Sequence, residues 1–133
     1  LNTLEDGRID VKIKLAALWA SVMFCYIYAD YFGLYVPGAL QKMLAGKMGP
    51  LGPTTQGILL GTSMMMAIPS LMIFLSVALK PNPNRWLNII FGVLYTVIIL
   101  ITMWQWAFYV FFGVIEITLT SLVVWYAWRW PRQ

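Results

Sequence analysis

A chain of 133 residues with 61% hydrophobic and 11% charged residues carries too little charge for a soluble fold, where roughly 25% is usual; lipid must solvate its outer faces. Its net charge of +4 lies at the ends of apolar segments and not in an aromatic-interleaved basic patch, which marks topogenic charge and excludes nucleic acid as a partner. Histidine is absent and Cys25 is the single cysteine, which excludes His-ligated haem or metal, His-based acid–base catalysis, an intramolecular disulfide and a paired-cysteine zinc site.

Taken in order, residues 1–10 are polar and Asp10 is a natural N-cap. A helix begins at Val11 and the first span covers 13–35. Pro37 and Gly38 end it, because proline disfavours helix before itself and cannot continue the ladder. Lys12 and Lys14 ahead of an apolar run imitate a signal peptide. The run is long, contains Asp30 and lacks a small-x-small cleavage site, so it reads as a retained span. Residues 36–55 are a Pro/Gly-rich connection. Within it, residues 39–45 read either as a short amphipathic helix at the interface or as irregular loop. The second span covers 55–79, with a kink expected at Pro69. Its Gly57 and Gly61 form a weak GxxxG pattern. The three consecutive methionines Met64, Met65 and Met66 point around the helix as core filler, not as a soft-metal site.

Lys80-Pro81-Asn82-Pro83-Asn84-Arg85 is a tight polar turn, with Asn84 as N-cap of the next helix. The apolar sequence from Trp86 to Trp130 would reach ~68 Å as one helix, over twice the bilayer core. It must fold back, and Trp104-Gln105-Trp106 is the place. The spans are then 86–104 and 108–128, although no Gly or Pro marks the turn. The fold class is therefore all-α, an integral membrane four-helix bundle in one domain, with a kinked second span.

Charge sets the orientation. With both termini inside, the cytoplasmic side holds Arg8, Lys12, Lys14, Lys80, Arg85, Arg129 and Arg132, and the outer side only Lys42 and Lys47. Seven against two obeys the positive-inside rule, whereas three spans would place Arg129 and Arg132 outside. Trp86, Trp125, Trp128 and Trp130 form the inner aromatic belt. Tyr31, Tyr35, Trp104, Trp106 and Tyr109 form the outer one.

Two carboxylates lie inside spans. Asp30 and Glu116 both fall in the outer half, about 8–12 Å deep at the helical rise. A carboxylate there costs several kcal/mol unless paired, hydrated or protonated, and no basic residue shares their depth. If they approach, a shared proton is the physical expectation. Gly113, Glu116, Thr120 and Ala127 share one helical face; so do Trp19, Met23, Tyr26 and Asp30. In the third span Asn88, Tyr95 and Thr102 recur every seven residues. The candidate ligand- or ion-binding set is therefore Asp30, Glu116, Tyr26, Tyr95 and Thr120. Plainer readings stand beside it. Asp30 can simply reach the interface, Glu116 can be a hydrogen-bonded packing group, and Asn88 can be a helix-start residue. Thr118, Thr120 and Ser121 often bond their own backbone.

The run from Val11 to Ser21, followed by Tyr26-Ile27-Tyr28-Ala29-Asp30 and Val36-Pro37-Gly38, resembles an uncharacterised family of small bacterial four-span membrane proteins. The resemblance covers nearly the whole chain. It implies a multi-pass protein of the bacterial inner membrane and assigns neither activity nor site residues. Small multidrug-resistance transporters are similar in span number and size. They carry an essential Glu near the middle of the first span, where this chain has only the outward-displaced Asp30, so that likeness is architectural.

Two functions are carried forward from the sequence. One is a binding or accessory protein with a carboxylate site in the outer half of the bundle, alone or within a larger membrane complex. The other is a proton- or cation-coupled transporter or channel acting as a homo-oligomer. A lipid-acting enzyme using the two carboxylates as acid and base is the weakest reading, and no cofactor or metal is implied.

Overall fold

The computed structural model describes residues 3–132 and contains five α-helices: α1 (Val11–Gly33), α2 (Ala39–Leu44), α3 (Gln56–Ala78), α4 (Pro81–Thr102) and α5 (Ala107–Trp128). Four of them have 22 or 23 residues and are apolar enough to cross a membrane. At 1.5 Å per residue each reaches about 33–35 Å, enough for the ~30 Å of hydrocarbon. Among the described residues there is no named strand, only an isolated bridge between Lys47 and Pro53. The chain is a multi-pass, all-helical membrane protein.

Each helix begins and ends for a local reason. Asp10 caps α1 by accepting from Lys12 N at 3.0 Å, and Thr55 caps α3 by accepting from Ile58 N at 3.1 Å. These side chains satisfy backbone donors that have no partner one turn back. The short helix α2 forms where helix or loop was open. Gly38, at φ 85°, supplies the left-handed turn after Pro37, a conformation that costs a side chain dearly. Leu40, Met43 and Leu44 of α2 stay exposed, as suits a helix lying on a membrane surface.

The entry to α4 differs from the sequence expectation. Lys80 is the N-cap and Pro81 the first helical residue, so the helix starts five residues before the expected 86. Prolines 81 and 83 fit the first turn, where their missing N–H groups have no acceptor to lose. Asn84 is consequently not an N-cap. It sits inside α4, fully buried, and donates through Nδ2 to Ser76 O at 2.7 Å and Leu79 O at 3.3 Å. It thereby closes carbonyls at the C-terminal end of α3. The next residue acts likewise on α5: Arg85 donates to Ala127 O at 3.0 Å and Trp128 O at 3.3 Å. One turn of α4 thus caps two neighbouring helices.

The unmarked turn lies at Met103–Trp106. Side chains do there what Gly or Pro does elsewhere. Trp104 Nε1 donates to Leu100 O at 2.7 Å and Gln105 Nε2 to Thr102 O at 3.0 Å, closing the last carbonyls of α4. Met103 folds inward and is buried. It occupies the space that Gly113 leaves open, since a Cβ at 113 would stand 2.7 Å from Met103 Cβ.

Helix α1 packs on α3 and α5, and α5 packs on α4. Helices α3 and α4, although joined by the shortest connection, touch far less along their lengths than these three pairs do. Polar side chains bridge that loose seam. Proline 69 has no N–H, so the Met65 carbonyl one turn back loses its helical partner; the Tyr95 hydroxyl of α4 donates to that carbonyl. Helix α3 runs unbroken through Pro69. This pairing predicts a double-mutant result. Tyr95→Phe should cost about 1 kcal/mol of unfolding free energy, and Pro69→Ala should remove most of that cost by restoring an N–H for Met65 O. Additive losses in a detergent unfolding assay would refute the pairing.

Near the end of the bundle that carries both chain termini, the core is polar and closed. Asn88 accepts from Trp19 Nε1 at 2.7 Å and Ser76 Oγ at 3.3 Å. It donates to Asn84 O at 2.9 Å and Asn84 Oδ1 at 2.7 Å. All four capacities of its amide are used. Asn88 is therefore not a simple helix-start residue but a junction of α1, α3 and α4. Trp19 is fully buried and meets Tyr95 edge-on, with centroids 6.2 Å apart at 86°. Leu15, Val123 and Ala127 complete the seal.

Candidate functional site

At the opposite end, the chain opens a recess of about 870 Å³. Its walls come from the last turns of α1, the first turns of α3 and α5, and the loop that carries α2. Asp30 stands on this wall with Tyr31, Trp106 and Tyr109, while Lys42 and Lys47 face it from the loop. The remaining lining is mostly apolar. Asp30 itself is exposed, because α1 directs its buried edge through Trp19, Val22 and Ala29.

Glu116 lies apart from this lining, one turn inside Phe112 on the inward face of α5. It is only 5% exposed. Gly113, Thr120, Val123 and Ala127 are buried on the same edge, as their spacing in the sequence requires. Glu116 is within electrostatic reach of Asp30, Tyr26, Cys25 and Tyr109. Asp30 is likewise within reach of Tyr109. Phe32 stacks on Phe112 with centroids 6.4 Å apart, which fastens α1 to α5 at this level.

Tyr26 shares the inward side of α1 with Trp19, and its hydroxyl is buried with no hydrogen-bond partner among the described residues. An unpaired buried hydroxyl costs about 1–3 kcal/mol, so this hydroxyl has hydrogen-bonding capacity to spare. The other candidates are engaged elsewhere. Tyr95 is committed to the Met65 carbonyl. Thr120 pairs with Thr96 Oγ1 at 2.6 Å and with Ile117 O at 3.3 Å, which ties α5 to α4. Thr102 is exposed and bonds its own helix at Ile98 O, so the seven-residue stripe in α4 does not persist to the recess. Of the candidate set, Asp30 lines the recess, Glu116 and Tyr26 lie off its lining, and Tyr95 and Thr120 are held in structural contacts.

Tyr109 is the group that sequence reasoning assigned only to an aromatic belt. It lines the recess with Asp30 and is within electrostatic reach of both carboxylates. Its position seven residues before Glu116, two helical turns on the same face, is the signal that would have revealed it. No group of three or more His, Cys, Asp or Glu side chains able to hold a metal ion forms among the described residues.

No curated protein and no solved structure matches the chain significantly. The profile of a family of unknown function, DUF6326, matches residues 6–133, and the chain belongs to that family.

Proposed function

We propose that the protein binds a cationic, partly apolar ligand in the recess at the loop end, as a small membrane binding or accessory protein. Asp30 would meet the positive group first, and Glu116 with Tyr26 would supply the deeper polar contact. The observation that carries this reading is the asymmetry of the bundle. Asp30 lines an open recess and Glu116 is buried deeper in the bundle, off that lining, while the other end is closed by the Trp19–Asn88–Ser76 network. Aromatic walls beside a carboxylate suit an organic cation, which gains from both ring faces and charge. The excess of basic residues at the terminal end supports an orientation in which the recess opens on the outer side of the membrane.

Tetraphenylphosphonium is a suitable probe. Calorimetry on the purified protein should show saturable binding, and Asp30→Asn or Glu116→Gln should each weaken it about tenfold, a loss of ~1.4 kcal/mol. Proteoliposomes should take up the probe no faster than protein-free liposomes. Binding untouched by both substitutions would refute the reading. The transport alternative draws on the loose seam between α3 and α4; flux abolished by Glu116→Gln would establish it instead.

A further inference from the structure

A second concavity, of about 610 Å³, lies at the terminal end between the first turn of α4 and the segment after α5. It is lined by Pro81, Asn82, Arg85, Trp130, Pro131 and Arg132. Two of the six are arginines and none is acidic. We propose that this groove binds a phosphate ester, in the form of an anionic lipid headgroup at that membrane surface. The proposal is independent of the loop-end recess.

The geometry of Arg85 supports it. The guanidinium is fixed by its bonds to Ala127 O and Trp128 O. It lies 5.1 Å from the Trp86 ring centroid and 5.3 Å from that of Trp128. Carbonyls and ring faces hold a guanidinium without neutralising it. Of its five N–H donors, two are used in this way, and the rest remain for an oxyanion. A fixed fork loses little conformational freedom when it binds, and arginine matches phosphate oxygens in pairs.

Three further features converge on the same groove. Arg132 makes no hydrogen bond or ion pair among the described residues and lines the groove beside Arg85. The 22-residue helix α4 starts here, so the positive end of its dipole lies at the groove, although Pro81 and Pro83 have no N–H to donate. Trp86 and Trp128 are exposed beside it, at the level where interfacial tryptophans meet headgroups. Basic pockets between spanning helices are established sites for anionic headgroups.

Native mass spectrometry of delipidated full-length protein tests this with two lipids, phosphatidylglycerol and phosphatidylcholine. Phosphatidylglycerol should be retained about fivefold more, and Arg132→Gln should remove most of that preference. Arg132 is chosen because Arg85 also caps α5; Arg85→Lys, which keeps charge without the fork, should weaken retention in the same direction. Lys42→Gln, at the other end, should change nothing. Millimolar inorganic phosphate decides the source of the ligand. Displacement of the lipid assigns the site to phosphate esters in general, and resistance assigns it to the lipid with its chains. Equal retention of the two lipids, or an Arg132→Gln protein indistinguishable from wild type, would overturn the proposal.

Discussion

Replacing Asn88 with leucine is expected to lower the unfolding free energy by about 2–4 kcal/mol, among the largest effects of any single substitution in the bundle. The side chain makes four hydrogen bonds, to Trp19, Ser76 and twice to Asn84. Leucine has nearly the same size, so packing changes little. What changes is that the Trp19 N–H, the Ser76 hydroxyl and the Asn84 side-chain oxygen lose their partners. Single interhelical bonds in membranes average ~0.6 kcal/mol and rarely exceed ~1.7. Buried groups left unpaired cost about 1–3 kcal/mol each. The larger value applies because the groups are sealed from both water and lipid: Asn84, Asn88, Ser76 and Trp19 are all 0% exposed. Thr118→Val is the matched control. Thr118 bonds only its own helix, at Val114 O, from an exposed position, and its replacement should stay within about 0.5 kcal/mol. Equilibrium unfolding in mixed detergent reads both.

Gly92→Leu should part α4 from α5. A Cβ at position 92 would stand 2.7 Å from Val124 Cγ2, 3.3 Å from Val123 Cγ1 and 3.4 Å from the Thr120 carbonyl oxygen. The first contact is far below van der Waals distance, and the third is backbone, which cannot yield alone. The hydrogen bond between Thr96 and Thr120 at 2.6 Å depends on the same close approach. Overpacking typically costs about 1–3 kcal/mol and more where the backbone must shift. Leucine at 92 is therefore expected to abolish the native elution profile. Gly92→Ala should be intermediate, and Val124→Ala should recover part of its loss. By contrast, Gly61→Leu should be tolerated, since a Cβ there meets nothing within 4 Å. The GxxxG pattern of α3 is thus not used within the chain, while the isolated glycines at 92 and 113 are.

The contrast shows what was legible in the sequence. Span number followed from bilayer thickness, and the caps at Asp10 and Thr55 sit where chain chemistry puts them. The inward face of α5 was visible in the spacing of Gly113, Glu116 and Thr120. The register of α4 was not, because the Pro-rich turn hid a helix start. Asn84 and Asn88 looked like terminal residues, whereas their four-residue spacing, continued by Gly92 and Tyr95, marks one buried edge. The role of Arg85 as a cap for α5, and of Tyr95 as partner to the carbonyl freed by Pro69, depends on which helices become neighbours. Chain order does not carry that information, since α1 packs on α5 and the consecutive pair α3 and α4 barely meets. Depth counting expected Asp30 and Glu116 toward the loop end; Asp30 lines the recess there, while Glu116 is buried off its lining. Tyr109 lines the recess with Asp30.

Side-specific cysteine labelling tests the central claim, a bundle open at the loop end and closed at the other. In a Cys25→Ala background, single cysteines replace Asp30, Tyr109 and Asn84 in turn, and oriented vesicles are treated with a membrane-impermeant thiol reagent. Positions 30 and 109 should react from the side bearing Lys42 and Lys47. Position 84 should react from neither side in protein that still elutes as native. Labelling of position 84 from the loop side, or silence at both 30 and 109, would contradict the account.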